Sequence, residues 1–494
     1  MQNLFPVAKH GSIILTSRDP GAARYPSSGP ATKGHPLLPL PSEPGKRLLL
    51  KLLKVEASGV ENEEKLAEEL VETLGGLPLA INQMANYMLD TGCSLEDFVE
   101  IFSNAEDRAE VMKVEPETPN LAYSHSLQTV WQISLKRIQE VNKDASRLLE
   151  IMAFFDPDGI PDTLLCSRTV DKASKAEFPQ LDFLSNGVKL LNATKPLLQQ
   201  SLVTKDQISA PPPSHPQPRS QTHKVAQPKY KITMHRLVSS MTINNLDDDG
   251  RQERFDEALE LIYRIYPRLS ATRASLSDVW STCRLYLPHV LALERAYRQS
   301  NGEIEPRAKF ATVLANASWF LFEQSLPGQA MEILPTALEV GEATQEGNEH
   351  AVSTIYRTYG AIYLDANRNQ EAFTNFQNQL RVLSSAYGPD DIAASHGYNN
   401  VALGYAALGK FDEAAQNYQK AMDIRSKDPQ AAKGYQAMTL INLGVLEGLQ
   451  KNYEKAFSML NEGIGMYNEL LGDGNYLTAS YVLLIPLCLA PFYS

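Results

Sequence analysis

An alanine recurs every 42 residues in the C-terminal half of the chain: Ala330, Ala372, Ala414 and Ala456. Four residues after each stands a large side chain, Leu334, Phe376, Tyr418 and Leu460. Thirteen residues before each come Ala317, Tyr359, Val401 and Leu443, followed at once by the small Ser318, Gly360, Ala402 and Gly444. A fixed period of this length means that one supersecondary unit is repeated. Two copies, "NNVALGYAALGKFDEAAQNYQKAM" and "INLGVLEGLQKNYEKAFSMLNEGI", read as a helix A, a short turn and a helix B. The small residue on helix A lets helix B approach, and the alanine at the head of helix B fits where no larger side chain does. One such pair cannot bury its apolar face alone, so the copies are expected to stack into a superhelix.

This pattern resembles the tetratricopeptide repeat. The period exceeds the usual ~34 residues because the connections are longer. "AYGPDDIAAS" and "LLGDGNYLTAS" are similar to the linkers of the kinesin light chain subtype. The expected superhelix spans 250–494, with repeats at about 311–344, 353–386, 395–428 and 437–470 and a partial fifth from 478. The resemblance implies binding of a protein or peptide partner in the groove, or folding back onto another part of the same chain. Tyr356, Arg357, Asn399 and Asn400, on the A helices, are the candidate contact residues.

Ahead of the repeats the pattern changes. A chain of 494 residues calls for several domains. Residues 11–19, "GSIILTSRD", read as a buried strand ending in polar groups, and 19–36, "DPGAARYPSSGPATKGHP", as loop. From Lys46 the spacing is helical: "KRLLLKLLK", "ENEEKLAEELVETL" stopped by Gly75 and Gly76, "PLAINQMANYMLDTG" opened by Pro78, and "LEDFVEIF" capped by Ser94. Helices continue over 127–155 and 181–200. Then "QSLVTKDQI" and "KYKITMHRLV" read as two strands around a proline-rich insertion, 209–228, expected to be disordered. Helices followed by a hairpin suggest a winged helix.

A net charge of −12 argues against a nucleic-acid partner. Cys93, Cys166, Cys283 and Cys488 form no CxxC pair, so neither a metal site nor redox chemistry is indicated. The apolar run "VLLIPLCLAP" is too short to span a bilayer. The N-terminus lacks the features of a signal peptide, so a cytoplasmic location with no membrane partner is expected. No grouping of nucleophile, base or paired carboxylates points to a catalytic site.

"GSIILTSRD", "GGLPLAI" and "YKITMHRLV", in that order, resemble the NB-ARC type of STAND nucleotide switch found in fungal NLR-like proteins with C-terminal tetratricopeptide repeats. The resemblance covers nearly the whole chain. It implies a mainly α fold: a remnant of an α/β nucleotide-binding domain at 1–45, a helical domain at 46–125, a winged-helix domain at 126–245, then the superhelix. It also implies vestigial nucleotide-binding roles for Arg18 as a phosphate sensor, Pro78 against the adenine and His235 toward the β-phosphate. Arg236 stands where the family's third motif residue is an aspartate. No G-x-x-x-x-G-K-[ST] occurs, and "SEPGKRLLL" has Arg47 where a magnesium-binding Ser or Thr belongs. The phosphate cradle and magnesium-binding acids are expected upstream of Met1. The chain as given then has no cofactor and is not an enzyme, but a signalling module that binds protein. The alternative is an ATP/ADP-dependent, magnesium-requiring STAND switch completed by an upstream segment or another subunit.

Overall fold

The computed structural model describes residues 40–53, most of 61–103, 135–166, 177–208 except 201, 227–269 except 235, 275–344 and 347–471. The chain divides into two units, at residues 1–132 and 133–494. The described residues are mainly α, with one small sheet. The strand expected at 11–19, nearly all of the insertion at 209–228 and the partial repeat from 478 lie outside the described residues.

In the first unit, α1 (Ser42–Leu52) begins four residues before the helical spacing becomes visible at Lys46. Two prolines disguise its start. Pro41 is the N-cap and Pro44 lies in the first turn, where a missing N–H forfeits no helical bond. Gly45 packs so tightly against α2 (Glu61–Thr73) that an added Cβ would lie 2.5 Å from Val71 Cγ1. Lys46 pairs with Glu43 at 2.9 Å and Glu64 at 3.2 Å. The Gly45–Lys46 pair is thus a helix-packing contact and an ion pair, not part of a phosphate loop. Gly76, at φ +66°, ends this hairpin, and its carbonyl accepts the Leu40 N–H at 2.8 Å. Leu49, Leu70, Val71, Ile81, Ala85 and Phe98 are buried. The Ser94 hydroxyl accepts the Asp97 N–H at 3.1 Å and caps α3 (Leu95–Ser103).

The second unit opens with a helix over 135–141 and α4 (Lys143–Met152), whose N-cap Asn142 accepts the Ala145 N–H at 3.0 Å. Then follow β1 (Ile160–Pro161), α5 (Asp162–Leu165), a 3-10 turn at Pro179–Ser185, α6 (Gly187–Gln199), β2 (Val203–Gln207) and β3 (Tyr230–Met234). The sheet is antiparallel in the order β1-β3-β2, with Val203 opposite Met234 and Ile160 opposite Ile232. It differs from the sequence expectation in two ways. A third strand exists, too short to show alternation. The last strand stops at Met234, and Arg236–Asn244 is helix α7.

Two longer helices, α8 (Asp248–Ile265) and α9 (Trp280–Gln299), lead to the repeats. Phe255 on α8 packs edge-on against Phe154 beyond α4, with centroids 6.0 Å apart, and against Phe310 at 5.3 Å. Beside this aromatic contact lies a buried ionic one. Glu257, fully buried, receives Arg147 Nε at 3.0 Å and also pairs with Arg254, while Arg254 pairs with Glu253 at 2.6 Å. Buried His289 on α9 accepts the Asp156 N–H on Nδ1 at 3.2 Å.

The repeats are four helix pairs: α10 (Ala308–Glu323) with α11 (Pro327–Ala343), α12 (Glu349–Asp365) with α13 (Asn369–Tyr387), α14 (Ile392–Ala407) with α15 (Phe411–Arg425), and α16 (Pro429–Leu449) with α17 (Tyr453–Leu471). Ala330, Ala372, Ala414 and Ala456 are each 0% exposed, each on the second helix of its pair. A Cβ on Gly360 would fall 2.3 Å from the Phe376 ring, which explains the small residue there. Every A-to-B turn holds one left-handed residue at the same register: Ser325, Asn367, Gly409 and Lys451, at φ between +56° and +74°.

Candidate functional site

The A helices α12, α14 and α16 form the candidate site. In the third pair the two helices differ sharply in charge. α14, with the sequence IAASHGYNNVALGYAA, carries no Asp, Glu, Lys or Arg, whereas α15, its partner, carries five. A helix without charge has little to gain from facing bulk water and suits a contact surface.

Polar groups of this face converge on Arg425, the last residue of α15 and 0% exposed. Its Nε donates to Ser395 Oγ at 3.0 Å. One terminal nitrogen donates to the Tyr435 carbonyl at 2.8 Å and to Thr439 Oγ1. The other donates to the Ser395 carbonyl at 3.2 Å and meets His396 Nδ1 at 3.2 Å. All five N–H groups of a guanidinium are thereby used. Every acceptor is neutral, and among the described residues no carboxylate lies within ion-pair distance of Arg425. Burial pulls its pKa down to about 10, which leaves it charged at neutral pH. Burial first, then the positive charge of Arg425, Arg357 and His350, pushes the His396 pKa well below its ordinary value, so this imidazole is neutral. The His396 ring rests on that of Tyr435, centroids 3.8 Å apart.

The residues chosen from sequence fall around this hub. Asn399 is buried, accepts Thr439 Oγ1 at 2.8 Å and Asn442 Nδ2 at 3.3 Å, and donates to Asn400 at 3.1 Å. Asn400 donates to Gln379 at 2.8 Å. The Tyr356 hydroxyl, on a buried residue, donates to Glu342 at 2.9 Å. These three spend their polar groups inside the array. Arg357 is partly exposed and lies 3.7 Å over the Trp319 ring of the preceding A helix, a cation–π contact. Pro78, in the first unit, is helical and exposed. Arg18 and His235 lie outside the described residues.

Arg425, His396, Ser395 and Thr439 were not singled out from sequence, yet a signal exists. At the register of Arg425 the other repeats carry Gly341, Leu383 and Tyr467, all buried. An arginine in a buried column is a departure that calls for a reason. Elsewhere, a shallow depression of about 500 Å³ on α15 is lined by Asp390, Gln416, Gln419, Lys420, Asp423, Ile424 and Lys427. Its charges alternate and do not converge on a point. Among the described residues no three His, Cys, Asp or Glu side chains gather as a metal site, and no helix is long and apolar enough to cross a membrane.

Comparison with known proteins decides what the paired helices are. The tetratricopeptide repeat family matches residues 351–427 and 391–469. These residues are tetratricopeptide repeats. Residues 136–211, part of the region ahead of the array, match a family described as a domain of unknown function (DUF7779). The chain also resembles a nucleotide-binding leucine-rich repeat (NLR)-like protein of the fungus Hyaloscypha variabilis, 25% identical over 293 residues. That match takes in 58% of this chain and 24% of the relative, so the chain spans about a quarter of the length of the curated relative it matches. Among solved structures, a STAND protein with a tetratricopeptide repeat sensor from Pyrococcus horikoshii is similar over 92% of this chain and 62% of its own, at 13% identity and a TM-score of 0.27. The apo form of RapI overlaps 51% of this chain and 94% of its own, at 13% identity and a TM-score of 0.30. Likeness at these scores carries no argument about the tetratricopeptide array or the region ahead of it.

Proposed function

We propose that the chain is the protein-interaction part of an NLR-like signalling protein, and that the A-helix face of its tetratricopeptide array holds a protein or peptide partner, supplied by another molecule or by the rest of its own protein. The observation that supports this reading is the contrast between an uncharged α14 and a charged α15 within one repeat. Solenoid faces of this kind engage extended or helical segments through several repeats at once. Partly exposed Arg357, fixed on Trp319, supplies a preorganised anchor at the edge of the face. A cytoplasmic location, a winged-helix role for the sheet-bearing region and vestigial nucleotide contacts at Arg18, Pro78 and His235 belong to the same proposal. The nucleotide-switch alternative rests on those three residues and needs a phosphate cradle from outside this sequence.

The test is a displayed-peptide selection on the full chain, followed by calorimetric titration of the selected peptides. Arg357→Glu is expected to weaken them at least tenfold. Selected peptides that bind wild type and Arg357→Glu equally overturn the assignment of the face.

A further inference from the structure

We propose that α6 is a second docking surface, and that its occupant is a helix of another protein with an apolar seam and a Glu or Asp at the centre of that seam. The surface lies outside the tetratricopeptide array and does not depend on the reading of the A-helix face.

α6 buries one side and leaves the other bare. Leu190, Ala193 and Leu197 are buried, as its packing against α4 and β2 requires. Val188, Leu191 and Leu198 are 66%, 55% and 36% exposed. With Lys195 they stand at intervals of three, four and three residues, so all four share one narrow stripe. That is the spacing along which one helix packs on another. A solvated face carries charged and polar groups at such positions, whereas three large aliphatic side chains in line mark a contact surface. The face is also held in place. Pro196 has no N–H to give the Asn192 carbonyl, and Asn142 Nδ2 takes that carbonyl at 3.2 Å. The same Asn142 side chain caps α4, so α6 is tied to the start of α4, and Val141, the residue before Asn142, is exposed too. A face fixed in this way loses little freedom on binding.

Charge names the occupant. α6 contains two lysines and no acid. Lys189 is committed to Asp182 at 2.7 Å. Lys195 is exposed, and among the described residues no carboxylate lies within ion-pair distance of it. A helix laid along the stripe covers the stem of Lys195 and has to meet its ammonium with a counter-charge. A second copy of this chain does not supply one. Parallel α6 helices set Lys195 against Lys195, and antiparallel ones centred on the stripe set it against Leu191. A foreign seam with an acid at its centre satisfies the apolar positions and the lysine together, and the single polar position fixes the register.

The test uses the full chain and three fluorescein-labelled, lactam-stapled helical peptides of three heptads. Each has Leu at every a and d position except the central a, which is Glu, Gln or Lys, and anisotropy reads binding. The Glu peptide is expected to bind at least tenfold more tightly than the Lys peptide, with Gln between. Lys195→Glu is expected to reverse that order, and Leu191→Asp to weaken the Glu peptide at least tenfold. Both substitutions are expected to leave the melting temperature unchanged, since each side chain is exposed. If Leu191→Asp does not fold, the reversal in Lys195→Glu decides. Arg357→Glu is expected to change nothing, which separates this surface from the tetratricopeptide face. Absence of binding by all three peptides overturns the proposal, as does an affinity indifferent to Leu191→Asp. The same order of affinities in wild type and Lys195→Glu overturns the acid at the seam. A concentration-dependent dimer in sedimentation that Leu191→Asp abolishes overturns the foreign helix in favour of a second copy.

Discussion

Lys451 occupies a backbone conformation that costs an L-residue with a side chain about 1 kcal/mol or more. Its φ is +67°, in a turn where the preceding repeat has Gly409 at +74°. Lys451→Gly is therefore expected to stabilise the array by about 0.5–1 kcal/mol, the relief of strain exceeding the entropy that glycine adds to the unfolded chain. Gly409→Ala is expected to act in the opposite direction by a similar amount. Thermal melts of the two variants check this, and two melting temperatures that move together would refute it. A second single-residue effect concerns acid. Buried His289 has its pKa lowered to about 4 by burial, against 6.5 when solvated. The unfolded chain takes up a proton near pH 6.5 and the native chain only near pH 4. Stability is thus fully present above about pH 6.5 and is lost as pH falls through that window, by roughly 3 kcal/mol in all at about 1.4 kcal/mol per pH unit. Urea denaturation of wild type and His289→Gln at several pH values measures the difference, and parallel profiles would remove His289 as the cause.

Elements were legible where a period or a cap announced them. The recurring alanine marked four helix pairs because a buried, sterically closed contact admits almost no other residue, and Ser94 marked a helix start because its hydroxyl meets an N–H that no carbonyl reaches. Other elements left no such trace. β1 has two residues, too few to alternate, and exists because β3 offers it an edge. The first turn of α1 is written in prolines and a glycine, which resemble a loop until Val71 is seen against Gly45. The site was legible only in part. Asn399 and Asn400 stood out as polar residues on an A helix, but their partners, Thr439 and Gln379, are 40 and 21 residues away. Arg425 was readable as a break in a buried column, a comparison between repeats rather than along one. Ala414 tests the element directly. It lies buried with Ala402, Tyr418 and Leu446, so Ala414→Glu adds overpacking of about 1–3 kcal/mol to the cost of an unpaired buried charge. Circular dichroism melts of the full chain are expected to show a broadened, lowered transition as adjoining repeats loosen too. An unchanged melt would contradict the packing.

Across the second unit, α8 joins the sheet-bearing region to the array through Phe255 and through Glu257. Glu257→Gln leaves Arg147 and Arg254 short of their shared counter-charge and is expected to cost about 3–5 kcal/mol. Hydrogen exchange is expected to rise in both α4 and α8, and a rise confined to one of them would show that the ion pairs do not join them. The 494-residue chain is expected not to release phosphate from ATP, since its sequence holds no loop with the glycine, lysine and hydroxyl pattern that positions phosphates and magnesium. Steady-state phosphate release above a no-protein control, abolished by Arg18→Ala, would reverse that expectation.

The Arg425 hub has a mechanical consequence for the array. Apolar packing is indifferent to direction and lets neighbouring helices slide or roll by small amounts, whereas hydrogen bonds fix an angle. At the joint between the third and fourth pairs, one side chain reaches α14 through Ser395 and His396 and α16 through Tyr435 and Thr439. That joint is keyed rather than greased. It transmits torque, so a twist applied to the last pair is delivered to the third instead of being dissipated between them.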